Sequence, residues 1–168
     1  SLAVSGITVS DASESGAATS ISENTTFGSD FPDEPYARLN GDWTGLTAPT
    51  GGILEFTITP GPSTSISVTT FDFLVSATGA GPDSIAVNIG GAGFIDELTN
   101  FQDTNATLVS VDVNDTFTSP VTFQISGYAG GTGNMDVDSL TVNGTVIPEP
   151  SFLCFGLAAF ALAFRRHA

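Results

Sequence analysis

The chain has no lysine, one histidine and one cysteine, and its three cations are Arg38, Arg165 and Arg166. His167 and Cys154 both lie in the last fifteen residues. The rest of the chain therefore offers no imidazole base, no thiolate nucleophile, no amine for a Schiff base and no soft ligand for zinc. A lone cysteine also excludes an internal disulfide, which leaves the compartment open. Residues 1–147 carry 17 of the 18 acidic side chains against Arg38 alone. Such a body repels phosphate backbones and anionic lipid, so nucleic acid is excluded as a partner, while divalent cations are attracted.

What is present is apolar material in short alternating runs. The 168 residues are 40% hydrophobic and include 13 phenylalanines, enough for the core of one domain and too apolar for a disordered chain. Period-two patterning recurs over residues 52–59, 65–76, 84–89, 106–113, 121–128 and 135–142. Glycine, proline, asparagine and aspartate separate these runs at hairpin-like intervals, and none shows a helical period. The pattern predicts an all-β fold, a single antiparallel, jelly-roll-like β-sandwich over residues 1–146. Within residues 66–75, Thr69, Phe71, Phe73 and Val75 share the expected core face, opposite Val68, Thr70, Asp72 and Leu74. Val121, Phe123 and Ile125 alternate in the same way with Thr122, Gln124 and Ser126. Residues 10–35, rich in serine, threonine, glycine and acids, are expected as an irregular lead-in. The glycine-rich stretches 90–96 and 130–136 read as flexible turns, since aspartate stands one place late for a calcium-binding nonapeptide repeat.

The last 22 residues have a different character. From Ile147 they read IPEPSFLCFGLAAFALAFRRHA: a Pro-Glu-Pro element, an apolar run over residues 152–164 and a basic end. As a helix the run spans roughly 20 Å, against a hydrocarbon core of roughly 30 Å. The two arginines favour the cytoplasmic side and leave the acidic body outside. Pro148 and Pro150 disfavour helix around Glu149, which makes an extended, accessible segment. A buried C-terminal helix and a tail anchor are the plainer readings of the same run.

This tail closely resembles the PEP-CTERM signal of bacterial exported proteins. Pro148, Glu149 and Pro150 match its motif, residues 152–164 its hydrophobic transmembrane helix, and Arg165 with Arg166 its basic end. The resemblance implies processing by an exosortase, a membrane cysteine peptidase or transpeptidase, and delivery to the cell surface or the extracellular matrix of a biofilm after transient anchoring in the membrane by the C-terminus. On that reading Cys154 has no nucleophilic role, and the chain begins after a removed leader. From Leu54 to Val146 the body also looks like β-sandwiches that commonly precede this signal, through LEFTITP, FDFLVSATGAGP, VTFQISGYAGG and VDSLTVNGTV.

Candidate site residues in the body are few. In calcium-bearing carbohydrate-binding jelly rolls an aspartate at a similar last-strand position helps hold a structural ion. That resemblance nominates Asp138, with Asp136, and with Asp11 or Glu14 as helpers, for structural calcium. Solvated surface acids are the plain alternative. A helix-loop-helix calcium loop is excluded, because Ser139 stands where glycine is needed and Thr145 where glutamate is needed. Tyr36, Trp43 and Tyr128 are the amphipathic aromatics available to stack on a sugar ring, though Trp43 would equally cap a core. No spacing singles out a glycosidase carboxylate pair. Arg38 is expected to form a structural ion pair with Glu34 or Asp42. The resulting expectation is an exported, noncatalytic surface or matrix protein whose partners are an exosortase, the membrane before processing and extracellular polysaccharide. A calcium-stabilised carbohydrate-binding module is the alternative, followed by a carboxylate glycosidase.

Overall fold

A computed structural model describes residues 6–16, 20–24, 36–44, 46, 49, 52–101 and 105–149. Their secondary structure is β throughout: β1 (Ile7–Val9), β2 (Ser13–Gly16), β3 (Ser20–Asn24), β4 (Tyr36–Asp42), β5 (Gly52–Pro60), β6 (Thr64–Gly79), β7 (Pro82–Ile89), β8 (Ile95–Thr99), β9 (Thr107–Phe117), β10 (Val121–Gly130) and β11 (Thr132–Pro148). They form two antiparallel sheets. The first has the order β1-β5-β10-β7-β8, with β2 also paired to β5, and the second has the order β3-β4-β11-β6-β9. From β5 onward the chain passes repeatedly between the sheets, so each is assembled from distant segments. The expected all-β sandwich is observed. The expected C-terminal helix over residues 152–164, with Pro150, Arg165 and Arg166, lies outside the described residues.

The alternating runs fold as sequence periodicity dictates, because each strand has one apolar face to bury. Phe56 and Phe123 from the first sheet stack at 5.2 Å between ring centroids. Phe71 from the second sheet meets them edge-on, at 5.8 Å and 5.2 Å respectively, and Phe73 lies 5.2 Å from Phe71. Leu39, Leu54, Val75, Ile85, Val121, Ile125, Met135 and Val137 extend this core between the sheets.

Three expectations are corrected. First, Val68 is buried and Thr69 exposed, the reverse of strict alternation. Register shifts around Thr69 explain the reversal. Asn143 and Gly144 of β11 pair with Thr70 and Val68, leaving Thr69 as an extra residue. A bulge of this kind resets which face each later side chain occupies. Second, residues 13–16 and 20–24, inside the supposed irregular lead-in, are strands: β2 pairs with β5 and β3 with β4. Third, the sandwich extends two residues past the expected boundary at 146, since Ile147 and Pro148 pair with Ser65 and Thr64.

The two glycine-rich stretches also diverge. Gly90 and Gly91 turn from β7 toward β8 with φ of 66° and 81°, angles that glycine adopts at little cost. In the other stretch Thr132–Asp136 is already strand. There a β-carbon on Gly133 would collide with the Thr78 carbonyl oxygen and the Gly81 amide, so glycine permits a close strand crossing rather than a flexible turn.

Candidate functional site

Trp43 follows the end of β4 and is fully buried, at 0% exposure. Its indole Nε1–H donates to the Gly133 carbonyl at 3.2 Å, and its backbone exchanges bonds with Gly130 and Gly131. The ring is thus tied to the glycine-rich connection from β10 to β11, which itself lies close against residues 78–82. Tyr128 is 9% exposed. Neither ring presents a face to solvent, which corrects the expectation that Trp43 and Tyr128 are sugar platforms. Tyr36 opens β4, and its side chain lies outside the described residues.

Asp136 is likewise committed to the structure. Cross-strand register places it opposite Arg38, and the guanidinium grips the carboxylate side-on, Nε to Oδ1 at 2.7 Å and Nη2 to Oδ2 at 2.8 Å. Arg38 therefore pairs with Asp136 and not with the sequence-expected Asp42, while Glu34 lies outside the described residues. Asp42 instead accepts hydrogen bonds from Thr44, which hold its carboxyl below the usual aspartate range. With both oxygens of Asp136 occupied, the residue is withdrawn as a metal ligand.

Asp138 is different. Oδ1 accepts the Ser139 amide at 2.6 Å, while Oδ2 is buried without a partner among the described residues. Calcium takes six to eight oxygens. Among the described residues no three histidine, cysteine or acidic side chains come together to hold a metal. Asp11 follows β1 at the margin of the other sheet, and the Glu14 side chain lies outside the described residues. An ion at Asp138 would need oxygens beyond its own carboxylate.

The outer face of the first sheet carries a more organised polar surface. Asn88 of β7, Gln124 of β10 and Glu55 of β5 lie opposite one another in register. Asn88 Nδ2 donates to Gln124 Oε1 at 2.7 Å, and Gln124 Nε2 donates to Glu55 Oε2 at 2.7 Å. Asn88 Oδ1 accepts the Gly93 amide at 3.0 Å, so the row continues into the turn before β8. The hydroxyls of Thr57 and Thr122 form a parallel rung, 2.9 Å apart. Each amide is oriented by its neighbour, yet all three residues are only half-buried, and among the described residues one amide hydrogen each of Asn88 and Gln124, and Glu55 Oε1, have no further partner. Period-two patterning put Gln124 and Thr122 on the wet face. It had no means of aligning residues separated by 36 and 69 positions.

The second sheet has a smaller polar cluster. Asp72 accepts from Ser110 Oγ at 2.5 Å and from Asn143 Nδ2 at 2.6 Å. Between edge strands β8 and β9 opens a cleft of about 190 Å³ with an apolar floor, including Val87, Ile89, Val111 and Phe117, and an acidic rim of Glu97, Asp112 and Asp115. Burial raises the Glu97 carboxyl above its usual range.

No protein-family model and no curated protein sequence matches the chain. Similar solved structures include carbohydrate-binding modules and longer enzyme chains matched over part of their length. A GH26-CBM35 β-(1,4)-mannanase from Podospora anserina is 16% identical, with a TM-score of 0.52 over 87% of this chain and 29% of that one. A family 35 carbohydrate-binding module from an environmental isolate is 14% identical, with a TM-score of 0.49 over 82% of this chain and 96% of that one. A family 29 carbohydrate-binding module, CBM29-2, is 14% identical, with a TM-score of 0.44 over 81% and 80%. The chain spans about three-tenths of the length of the mannanase chain, and at this identity the likeness is one of fold.

Proposed function

We propose that the chain is a noncatalytic module that binds a neutral polysaccharide on the outer face of its first sheet. The observation that carries this reading is the hydrogen-bonded row Glu55–Gln124–Asn88. Sugar hydroxyls both donate and accept, and the row offers both functions at the strand spacing of about 4.8 Å. Because the three groups fix one another, little side-chain entropy remains to be lost on binding. The excess of acids over cations argues for an uncharged glycan, since an anionic one would be repelled. The fold shared with carbohydrate-binding modules supports the same reading.

The carboxylates in these networks act as acceptors for neighbouring groups: Glu55 for Gln124, Asp72 for Ser110 and Asn143, Asp136 for Arg38. This use suits binding and scaffold roles better than proton transfer. Without an aromatic stack in the row, each neutral hydrogen bond adds only about 0.5–1.5 kcal/mol. Affinity for a single chain is then expected near the millimolar range. Affinity electrophoresis through neutral and anionic polysaccharides tests this. Retardation in at least one neutral polymer is expected, and unaltered migration in all of them leaves a purely structural role.

Export and processing through the tail complete the proposal, with an exosortase as the processing partner and the cell surface or matrix as destination. Pro148 and Glu149 are exposed and extended at the end of β11, and the Glu149 amide donates to the Ser63 carbonyl at 2.8 Å. An enzyme acting there must first free two residues from Thr64 and Ser63. Intact mass of surface material from cells with and without exosortase is the test. Retention of the tail in both strains would remove the sorting reading and leave the binding reading intact.

A further inference from the structure

The geometry points to Asn114 as an acceptor of N-linked glycan. Residues 112–116 read Asp-Val-Asn-Asp-Thr, the Asn-x-Thr acceptor tripeptide with an acid two places before it. The tripeptide also begins at Asn24, Asn105 and Asn143, and only Asn105 and Asn114 have an aspartate two places before.

The fold separates these asparagines. Asn143 Nδ2 donates to Thr70 Oγ1 at 2.9 Å and to Asp72 Oδ2 at 2.6 Å, so its nitrogen is tied into the second sheet. Asn105 is exposed but already engaged by another group, and the aspartate before it lies outside the described residues, as does the Asn24 side chain. Asn114 is exposed, and its side chain has no hydrogen bond among the described residues. Asp112, Asp115 and Thr116 beside it are exposed as well.

Backbone geometry presents the site. Among the described residues β9 pairs with β6 alone and is the edge of the second sheet. Asp112 and Asp115 pair with Thr70 and Val68, so Val113 and Asn114 together oppose the single residue Thr69. Asn114 sits in this bulge with φ of 48°, a left-handed conformation that asparagine tolerates better than most side chains. The bulge releases Asn114 from regular pairing. Among the described residues the far side of β9 carries no ladder bonds, so a transferase groove can approach the bulge from that side.

The donor class is a polyprenyl-diphosphate-linked oligosaccharide. Asn114 Nδ2 attacks the anomeric carbon. A C–N bond forms, the C–O bond to the diphosphate breaks, and the lipid diphosphate leaves with the bonding electron pair. One Nδ2 proton passes to a carboxylate of the transferase, and nothing is oxidised or reduced. The Thr116 hydroxyl and the Asp112 carboxylate are the accessible recognition groups on either side. A glycan at this point also obstructs edge-to-edge pairing of β9.

The test incubates the purified full chain with a bacterial-type oligosaccharyltransferase and a polyprenyl-diphosphate-linked heptasaccharide, followed by peptide mapping by mass spectrometry. One heptasaccharide on the peptide containing Asn114 is expected. Asn114→Gln and Thr116→Ala should each lower the yield at least tenfold, Thr116→Ser should retain it, and Asn143→Gln should leave it unchanged. Far-UV circular dichroism and a melt confirm that each variant is folded. The proposal is overturned if the folded chain takes no glycan while a free Asp-Val-Asn-Asp-Thr peptide in the same mixture is modified. It is equally overturned if Asn114→Gln leaves the yield intact because Asn24, Asn105 or Asn143 carries the sugar.

Discussion

Arg38 and Asp136, ninety-eight positions apart, form a side-on ion pair across β4 and β11, with the Asp136 side chain at 0% exposure and that of Arg38 at 13%. The only cation of residues 1–147 is thus spent inside the second sheet. Removing either partner breaks a charge pair largely shielded from water, at a cost of about 3–5 kcal/mol. Asp136→Ala or Arg38→Ala is expected to lower the melting temperature by about 10 °C. The double replacement Arg38→Met with Asp136→Leu should recover much of that loss, because no buried carboxylate is then left without the guanidinium. Calorimetry on the single and double variants measures it, and independent, additive losses would contradict the coupling.

Trp43 yields a prediction opposite to the one its sequence context invites. A ring stacked on sugar would lose ligand on truncation with little change in stability. Buried and bonded to Gly133, it should instead cost about 3–5 kcal/mol as Trp43→Ala, the range for large core aromatics. Trp43→Phe keeps most of the volume and loses chiefly the Nε1 hydrogen bond, about 1 kcal/mol. Chemical denaturation resolves the two. A Trp43→Ala protein of near-normal stability would show that the indole is not a core group.

What the sequence discloses follows from how local each determinant is. Alternation alone locates β5, β6 and β10, since Phe56, Phe71, Phe73 and Phe123 each repeat on one face of their own strand. It misses β2 and β3, because SESG and SISEN offer little apolar alternation and are recruited by pairing with β5 and β4. It misplaces Val68 and Thr69 because a bulge is a property of two strands together. The candidate surface is harder still to foresee. Glu55, Gln124 and Asn88 are ordinary wet-face residues until inter-strand register aligns them, and Asp136 looks like a free acid until Arg38 is placed opposite.

The Gln124 rung should matter for ligand and little for stability. Gln124→Ala removes one donor and one acceptor from the centre of the row and frees Glu55 and Asn88 from their fixed orientations. Binding to a retarding neutral polysaccharide is expected to weaken by up to about tenfold, the scale of one or two neutral hydrogen bonds. The melting temperature should move by no more than about 3 °C, since all three groups stay in reach of water. Retardation identical to that of the unaltered protein would place the glycan elsewhere.

Glu97 makes stability depend on pH in a defined direction. The register shift between Ile85 and Ala86 leaves Glu97 as the unpaired residue of a bulge in β8, and it lines the cleft over Val87, Ile89 and Phe117. Burial disfavours the charged form, so the folded-state carboxyl titrates above its ordinary value of 4.5. A folded pKa above the unfolded one means that folded chains hold the proton more tightly. The ionised group is therefore a penalty, present in full above the folded pKa and lost as pH falls below the unfolded one. Glu97→Gln should raise the melting temperature near pH 7 by about 1–2 °C, corresponding to a few tenths of a kcal/mol for a group this exposed. The gain should vanish below about pH 4, where Glu97 is protonated in both states. Melts of both proteins from pH 3 to 8 decide it, and a gain that grows toward acid would reverse the assigned sign.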